Sequence, residues 1–472
     1  MRTDRIIPLI IAVALFMENM DATVIATSLP AIARDIGANP LALKLAITTY
    51  LLSLAIFIPA SGWTADRFGA RTVFRAAIAV FMVGSIGCAA SSSLTDFVIA
   101  RVVQGMGGAM MTPVGRMVLI RSIPKRDLVG AMAWLTTPAL IGPVLGPPVG
   151  GFITTYASWH WIFIINLPIG LIGILLATRF VPDLRAEQQE RFDLVGMALA
   201  GLGIGGVAFG LSVLGLDYLP WFVVAALIIG GGGFIAAYLM HARRSDNPAL
   251  DLTLFRLPTY FAGIAGGFVF RLGVGATPFL LPLMLQIGFG MTPFQSGLIT
   301  FASAFGAMTM KWAAATILRR FGFRTILLIN GLISAAFLAA YASFTAATPV
   351  IVMLALLGVG GFFRSLQFTS MNTIAYAEVE QQRISRATSL ASVAQQLAVS
   401  AGVALGATAV ELTVHLKGGG PLQAADFRPA FLIVAAISAL SVLVFVRLAP
   451  EAGAEMTERR PTPTEASDQR TG

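Results

Sequence analysis

Glu18 and Asp21 stand three residues apart inside an apolar run that extends from residue 8 to residue 30. A carboxylate in the middle of a membrane-spanning helix is costly unless it has a partner or a task. On a helix the two share a face, so their protonation is expected to be coupled, which is what a proton carrier requires. The plainer reading is a structural pair neutralised by Arg101. Arg101 lies in the outer half of the fourth apolar run, at a depth comparable to Asp21. The two could exchange partners as protons come and go, or form a permanent salt bridge between two helices. Arg271, Lys311 and Arg364 lie in later runs, the first two too deep to reach an interface easily by snorkelling, and they are expected to face a cavity or find acids. Gln104 and Gln367 join them as candidates for a substrate cavity, although helix packing explains a glutamine equally well. With Arg101 and Arg116 the runs hold five bases against two embedded acids, so a cavity attractive to anionic or zwitterionic solutes is one expectation.

The elements that must carry these residues follow from composition. Only 12% of the 472 residues are charged and 57% are hydrophobic, with a mean hydropathy of +0.82, whereas a soluble domain carries about a quarter of its residues as charge. Runs of about 20 apolar residues, each long enough to cross a hydrocarbon core as a helix, recur along nearly the whole chain. They fall at 8–30, 45–61, 73–90, 97–120, 131–156 and 161–180, then 194–216 and 219–240, then 260–285, 297–317, 325–343, 349–371, 389–411 and 428–446. The expected fold is therefore an all-α polytopic membrane protein of fourteen helices. Residues 1–180 form an N-terminal six-helix bundle, 181–258 a linker with two inserted helices, 259–448 a C-terminal six-helix bundle, and 449–472 a disordered cytoplasmic tail. The first run offers no convincing cleavage site and reads as an uncleaved span.

Orientation comes from the basic residues. Of the 32 Lys and Arg, 23 fall in segments on the side of the N-terminus and four (Arg34, Lys44, Lys417 and Arg428) in the opposite loops, which sets both termini in the cytoplasm. The net charge of +9 is thus topological and implies no nucleic-acid partner. DRFGAR at 66–71, after the second run, is echoed by RRFGFR at 319–324, after the second run of the later set. Two related halves around a midplane cavity are the recurring plan of secondary transporters.

Four further motifs carry recognisable sequence: MDATVIATSLP at 20–30, GWTADRFGAR at 62–71, RVVQGMGGA at 101–109 and GPVLGPPVGG at 142–151. Gly62 and Gly69 allow a tight turn, and Asp66, Arg67 and Arg71 are expected to make cytoplasmic contacts that latch one conformation, or simply to be topogenic charge. Gly142, Gly146 and Gly150 recur every fourth residue as a smooth stripe, followed by Gly151, while Pro143 and Pro147 permit bending, so this helix suits a gate between domains. Together the motifs resemble the major facilitator superfamily, in particular its fourteen-helix drug:proton antiporter branch, and WHWIFIINLPIG at 159–170 is also similar to that family. The resemblance covers nearly the whole chain up to the tail. Glu18 and the basic set Arg271, Lys311 and Arg364 depart from its pattern.

The resemblance implies a proton-coupled exporter of small amphiphilic compounds or drugs in the bacterial inner membrane, working by alternating access with the proton gradient as energy source and no cofactor. Its partners would be the substrate, protons and the lipid bilayer; a periplasmic adaptor and outer-membrane channel are left open. An exporter or exchanger of anionic metabolites or lipids, or a proton-linked importer, is the rival on the same fold. An ATP-driven pump is disfavoured because no Gly-x-x-x-x-Gly-Lys-Ser/Thr loop occurs. A membrane enzyme or sensor is more remote, since His160, His241 and His415 have no catalytic company, and neither they nor Cys88 show metal-ligand spacing.

Overall fold

A computed structural model describes residues 3–122, 128–185, 193–214, 216, 218–245 and 248–457. Among them there is no strand. The long helices, in chain order, are α1 (Ile6–Thr27), α2 (Pro40–Phe68), α3 (Ala70–Ala89), α4 (Leu94–Ser122), α5 (Leu128–Tyr156), α6 (Trp161–Phe180), α7 (Leu194–Val213), α8 (Trp221–Ala242), α9 (Pro258–Gly288), α10 (Pro293–Phe321), α11 (Phe323–Ser343), α12 (Val350–Ile374), α13 (Gln381–Leu416) and α14 (Ala424–Phe445). Twelve of them are long and apolar enough to cross a membrane, and α5 and α10 are 29 residues each. Large apolar side chains stand on the outside, Trp221 at 81% exposure and Trp312 at 79%. Such a surface is stable against lipid and not against water.

Short connections make consecutive helices antiparallel, so α1 ends, and α2 begins, at the end of the bundle far from the N-terminus. In the first half α3 packs on α4, and α1 on α5; in the second, α10 packs on α12, and α11 on α12 and α14. The halves meet along two seams, α5 against α10 and α2 against α13. The inserted hairpin α7–α8 packs on itself and against α2 and α13. It is peripheral: 22% and 17% of its apolar windows are buried inside the protein, against 89% for α2. The linker after α8 is pinned by Asp251, which accepts from Thr253 and pairs with Arg383 at 2.7 Å. Burial pushes the Asp251 carboxyl up, but the Thr253 hydroxyl and the Arg383 guanidinium outweigh it and hold the group below its ordinary value.

The internal repeat is structural as well as sequential. Gly69 and Gly322 both have positive φ, +91° and +74°, at the turns between α2 and α3 and between α10 and α11. A residue with a Cβ is strained there, which is why glycine recurs. The turn residue of each half is then tied to the chain just past that half's last helix. Ala70 N–H donates to Leu184 O at 2.9 Å, and Arg324 to Val446 O at 3.2 Å.

Several helices extend beyond the apolar runs. Backbone hydrogen bonding continues through polar turns that hydropathy does not register. One consequence corrects a sequence expectation: Lys44, placed in an outer loop, is inside α2 and fully buried. A second concerns 62–71, where Gly62 through Phe68 are the last turns of α2 and only Gly69 makes the turn. The segment expected to form a loose tail from 449 onward is turn and 3-10 helix as far as Thr457, with Ala452 against the core. Residues 458–472, and with them Arg459, Arg460 and Arg470, lie outside the described residues, as do Arg2, Lys125, Arg126 and Arg191.

Candidate functional site

Both carboxylates reach α4, and Asp21 reaches α6 as well, through two different sets of partners. Asp21 is 1% exposed and accepts from Arg101 Nη1 at 2.7 Å, Gln104 Nε2 at 2.8 Å and Asn166 Nδ2 at 3.0 Å. Arg101 also donates to Gln104 Oε1 and to Ala46 O, and its guanidinium lies 4.1 Å from the centre of the Tyr50 ring. Ser85 closes the network by accepting from Gln104 and Asn166. One carboxylate thus ties α1 to α4 and α6, with α2 and α3 in contact through Arg101 and Ser85. Glu18, one turn earlier, accepts from the Thr112 hydroxyl of α4 at 2.7 Å, and no base lies within 4 Å of it among the described residues. A buried charge is stable only when paired and hydrogen-bonded, and Asp21 meets both conditions.

Gln104, expected to line a cavity, is instead fully buried inside this network. Gln367 is likewise fully buried, bonded to Asn330 and to Leu327 O. A polar side chain on a spanning helix declares its need for a partner but not the direction in which it finds one. Sequence reasoning misses Asn166 as a ligand of Asp21; the signal is an amide standing in the otherwise apolar stretch 161–170.

The stripe on α5 faces α1. A Cβ at Gly142 would lie 3.1 Å from Phe16 O, one at Gly146 would strike the Thr23 side chain, and one at Gly150 would strike Val24 and Thr27. Gly151 looks the other way, onto Pro293 and Phe294 of α10, where Gly297 returns the close approach onto Pro147. The α5 helix is therefore wedged between the first half's α1 and the second half's α10, with Pro143 and Pro147 at the seam. Asp66, by contrast, pairs with Arg121 at the end of α4 at 2.7 Å, within the first half. Arg67 is exposed and Arg71 half-buried on either side of Gly69.

Near the far end the halves are joined by hydrogen bonds. Lys44 Nζ donates to Glu411 at 3.1 Å and Thr408 at 3.4 Å, Gln286 to Thr27 O at 2.9 Å, Ser400 to Thr48 O at 3.3 Å, and Phe294 N–H to Thr155 at 3.0 Å. Lys44 and Glu411 are 367 residues apart, so nothing local in the sequence points from one to the other.

Between the halves lies a cavity of about 380 Å³. Its first-half wall is Thr23, Ala26, Thr27, Pro143, Val144 and Pro147; the second-half wall includes Lys311 and Arg364. Lys311 donates to Thr369 at 3.0 Å and Arg364 to Ser303 at 2.8 Å. Arg271 is not on the wall; it is buried, bonded to Asn372, with its guanidinium 5.3 Å from the Phe368 ring centre. Thr23 follows Asp21 by two residues, a turn of about 200° on a helix. The carboxylate network and the cavity therefore occupy opposite faces of α1.

Relatives share this architecture. The sequence profile of the Major Facilitator Superfamily matches residues 11–193 and 263–469, leaving out the inserted hairpin. A protein of Salmonella heidelberg (strain SL476) named for multidrug resistance, MdtD, is 37% identical over 447 residues, covering 93% of this chain and 94% of its own. In fold the chain is similar to an auto-inhibited peptide transporter of the POT family (TM-score 0.67, 16% identity, 97% of each chain). It is also similar to the inward-open xylose transporter XylE from E. coli (TM-score 0.63, 15% identity, 94% of this chain and 96% of that one). Membrane-length helices, two halves around a central cavity and these relatives describe a multi-pass transporter of the bacterial inner membrane, not an enzyme, and the chain belongs to the Major Facilitator Superfamily.

Proposed function

We propose that this transporter exports small amphiphilic compounds in exchange for protons by alternating access, drawing energy from the proton gradient without a cofactor. All fourteen long helices cross the membrane in this reading and both termini are cytoplasmic, so the far end of the bundle is periplasmic. The observation that carries it is the buried Asp21–Arg101 pair, held at 2.7 Å by side chains from α4 and α6. A proton arriving on Asp21 cancels the charge that holds Arg101 and releases three helices from one anchor. The proton site and the cavity are on opposite faces of α1, so coupling passes through movement of α1 against the glycine stripe of α5 and not through direct competition for one group. The far-end bonds, Lys44–Glu411 above all, support reading this conformation as closed toward the periplasm. The drug-export direction is supported by the name of the MdtD relatives.

The test is substrate-induced proton movement in proteoliposomes under an imposed pH gradient, with cationic, neutral and anionic amphiphiles. Asp21→Asn, nearly isosteric, is expected to insert normally and lose the coupled proton flux. Full coupling in that variant would remove Asp21 from the mechanism.

A further inference from the structure

The cavity wall is chemically one-sided. Its lining holds two cations and, among the described residues, no Asp or Glu. Lys311 and Arg364 each stand ten residues from the near end of their helices, Phe321 and Ile374, about 15 Å along the axis, so they share a depth. Neither has a carboxylate within 4 Å among the described residues; Lys311 donates to the Thr369 hydroxyl and Arg364 to the Ser303 hydroxyl, both neutral. A guanidinium offers five donors, so Arg364 retains unused capacity beyond Ser303.

Behind Arg364 is a second space of about 10 Å³, enough for one water, lined by Thr277, Ser334 and Arg364 itself. The hydroxyls of Thr277 and Ser334 are buried, the residues 5% and 4% exposed, and neither has a hydrogen-bond partner. Thr277 lines both spaces. Two orphaned hydroxyls beside an underused guanidinium form a donor set prepared for an acceptor that the chain itself does not provide. The rest of the cavity is apolar, with Pro143, Val144, Leu281 and Met308 among its wall residues.

We infer that the cavity takes small amphiphiles bearing one anionic head, a carboxylate or sulfonate, with the head between Lys311 and Arg364 and the apolar body against Val144, Leu281 and Met308. Thr277 and Ser334 hold the head through a water in the small space. This rests on the transporter reading above and assigns its substrate charge. Two cations without counter-ions repel a quaternary ammonium, so the same wall rejects the cationic class.

The experiment is titration calorimetry on the full chain in lipid nanodiscs with three compounds of matched body: 2-naphthalenesulfonate, 2-naphthamide and (2-naphthylmethyl)trimethylammonium. The sulfonate is expected to bind best and the ammonium not at all. Lys311→Gln and Arg364→Gln should each weaken the sulfonate about tenfold or more, the worth of a charge-assisted hydrogen bond, and weaken the neutral amide by less. Lys311→Arg should restore binding, and since Lys311 is exposed its variants do not threaten the fold. Failure of wild type to bind the sulfonate, preference for the ammonium, or indifference to both Gln variants would overturn the inference. Proton-driven flux of the ammonium, lost in Asp21→Asn, would do so while leaving the coupling reading intact. Sulfonate binding without proton-driven flux would sustain the inference and defeat the coupling reading.

Discussion

The two halves treat the charges within their spanning helices in opposite ways. In the first half Arg101 is 1% exposed and ion-paired, with Asp21, Gln104, Ala46 O and the face of Tyr50 around it. In the second half Lys311 and Arg364 have hydroxyl partners and Arg271 an amide and the Phe368 ring, with no carboxylate among the described residues. The first arrangement pairs its cation with a carboxylate of the chain itself, although Tyr50 Oη and Asn166 Oδ1 beside it are buried without partners; the second leaves its cations without a carboxylate among the described residues. In the proposed mechanism this difference divides the labour of a coupled transporter between related halves, with α5 packed between α1 of the first half and α10 of the second.

The comparison breaks most visibly in stability. Arg101→Ala leaves Asp21 buried and unpaired and is expected to cost about 3–5 kcal/mol. Arg364→Ala orphans no charge and should cost about 1 kcal/mol, the value of one hydrogen bond. Urea or thermal unfolding of the two variants side by side checks this, and equal losses would erase the distinction. A smaller effect is expected where the halves touch. Lys44→Met strands Glu411, which is 16% exposed in its side chain, and should cost about 2 kcal/mol, with Lys44→Met/Glu411→Gln recovering most of it. In a cysteine-free background, Thr27→Cys should react faster with a periplasmic thiol reagent once Lys44 is replaced; an unchanged rate would remove the pair from the closure. Smallest is the contact between α5 and α1. Gly146→Ala drives a methyl into Thr23 and should cost about 1–2 kcal/mol and slow transport, whereas Gly62→Ala, which meets nothing within 4 Å, should be silent in both assays.

How much of this was legible in the sequence follows from what each feature depends on. Spans, the two-half repeat and the pairing of Asp21 with Arg101 depend on hydropathy, local motif and the cost of a lone buried charge, all of which a sequence carries. The bridge from Lys44 to Glu411 depends on where helix ends meet across 367 positions, and apolar runs that stop short of the helix ends concealed it. Gln104 and Gln367 misled because helix rotation, not residue type, decides whether an amide faces a cavity or a neighbour. Lys311 and Arg364 line the cavity, while Arg271, another cation within a spanning helix, turns to Asn372. Thr277 and Ser334 carried no signal at all, since a hydroxyl in a spanning helix ordinarily bonds its own backbone.

The separation of the proton site from the cavity is tested most directly by comparing two fluxes in Asp21→Asn proteoliposomes, for whichever of the three naphthyl compounds wild type carries. One is accumulation driven by a pH gradient, the other exchange of labelled for unlabelled compound with no gradient. Loss of driven accumulation with exchange retained is the expected result. Loss of substrate binding together with both fluxes would place Asp21 in the substrate site, and intact driven accumulation would take the proton away from it; either contradicts the account.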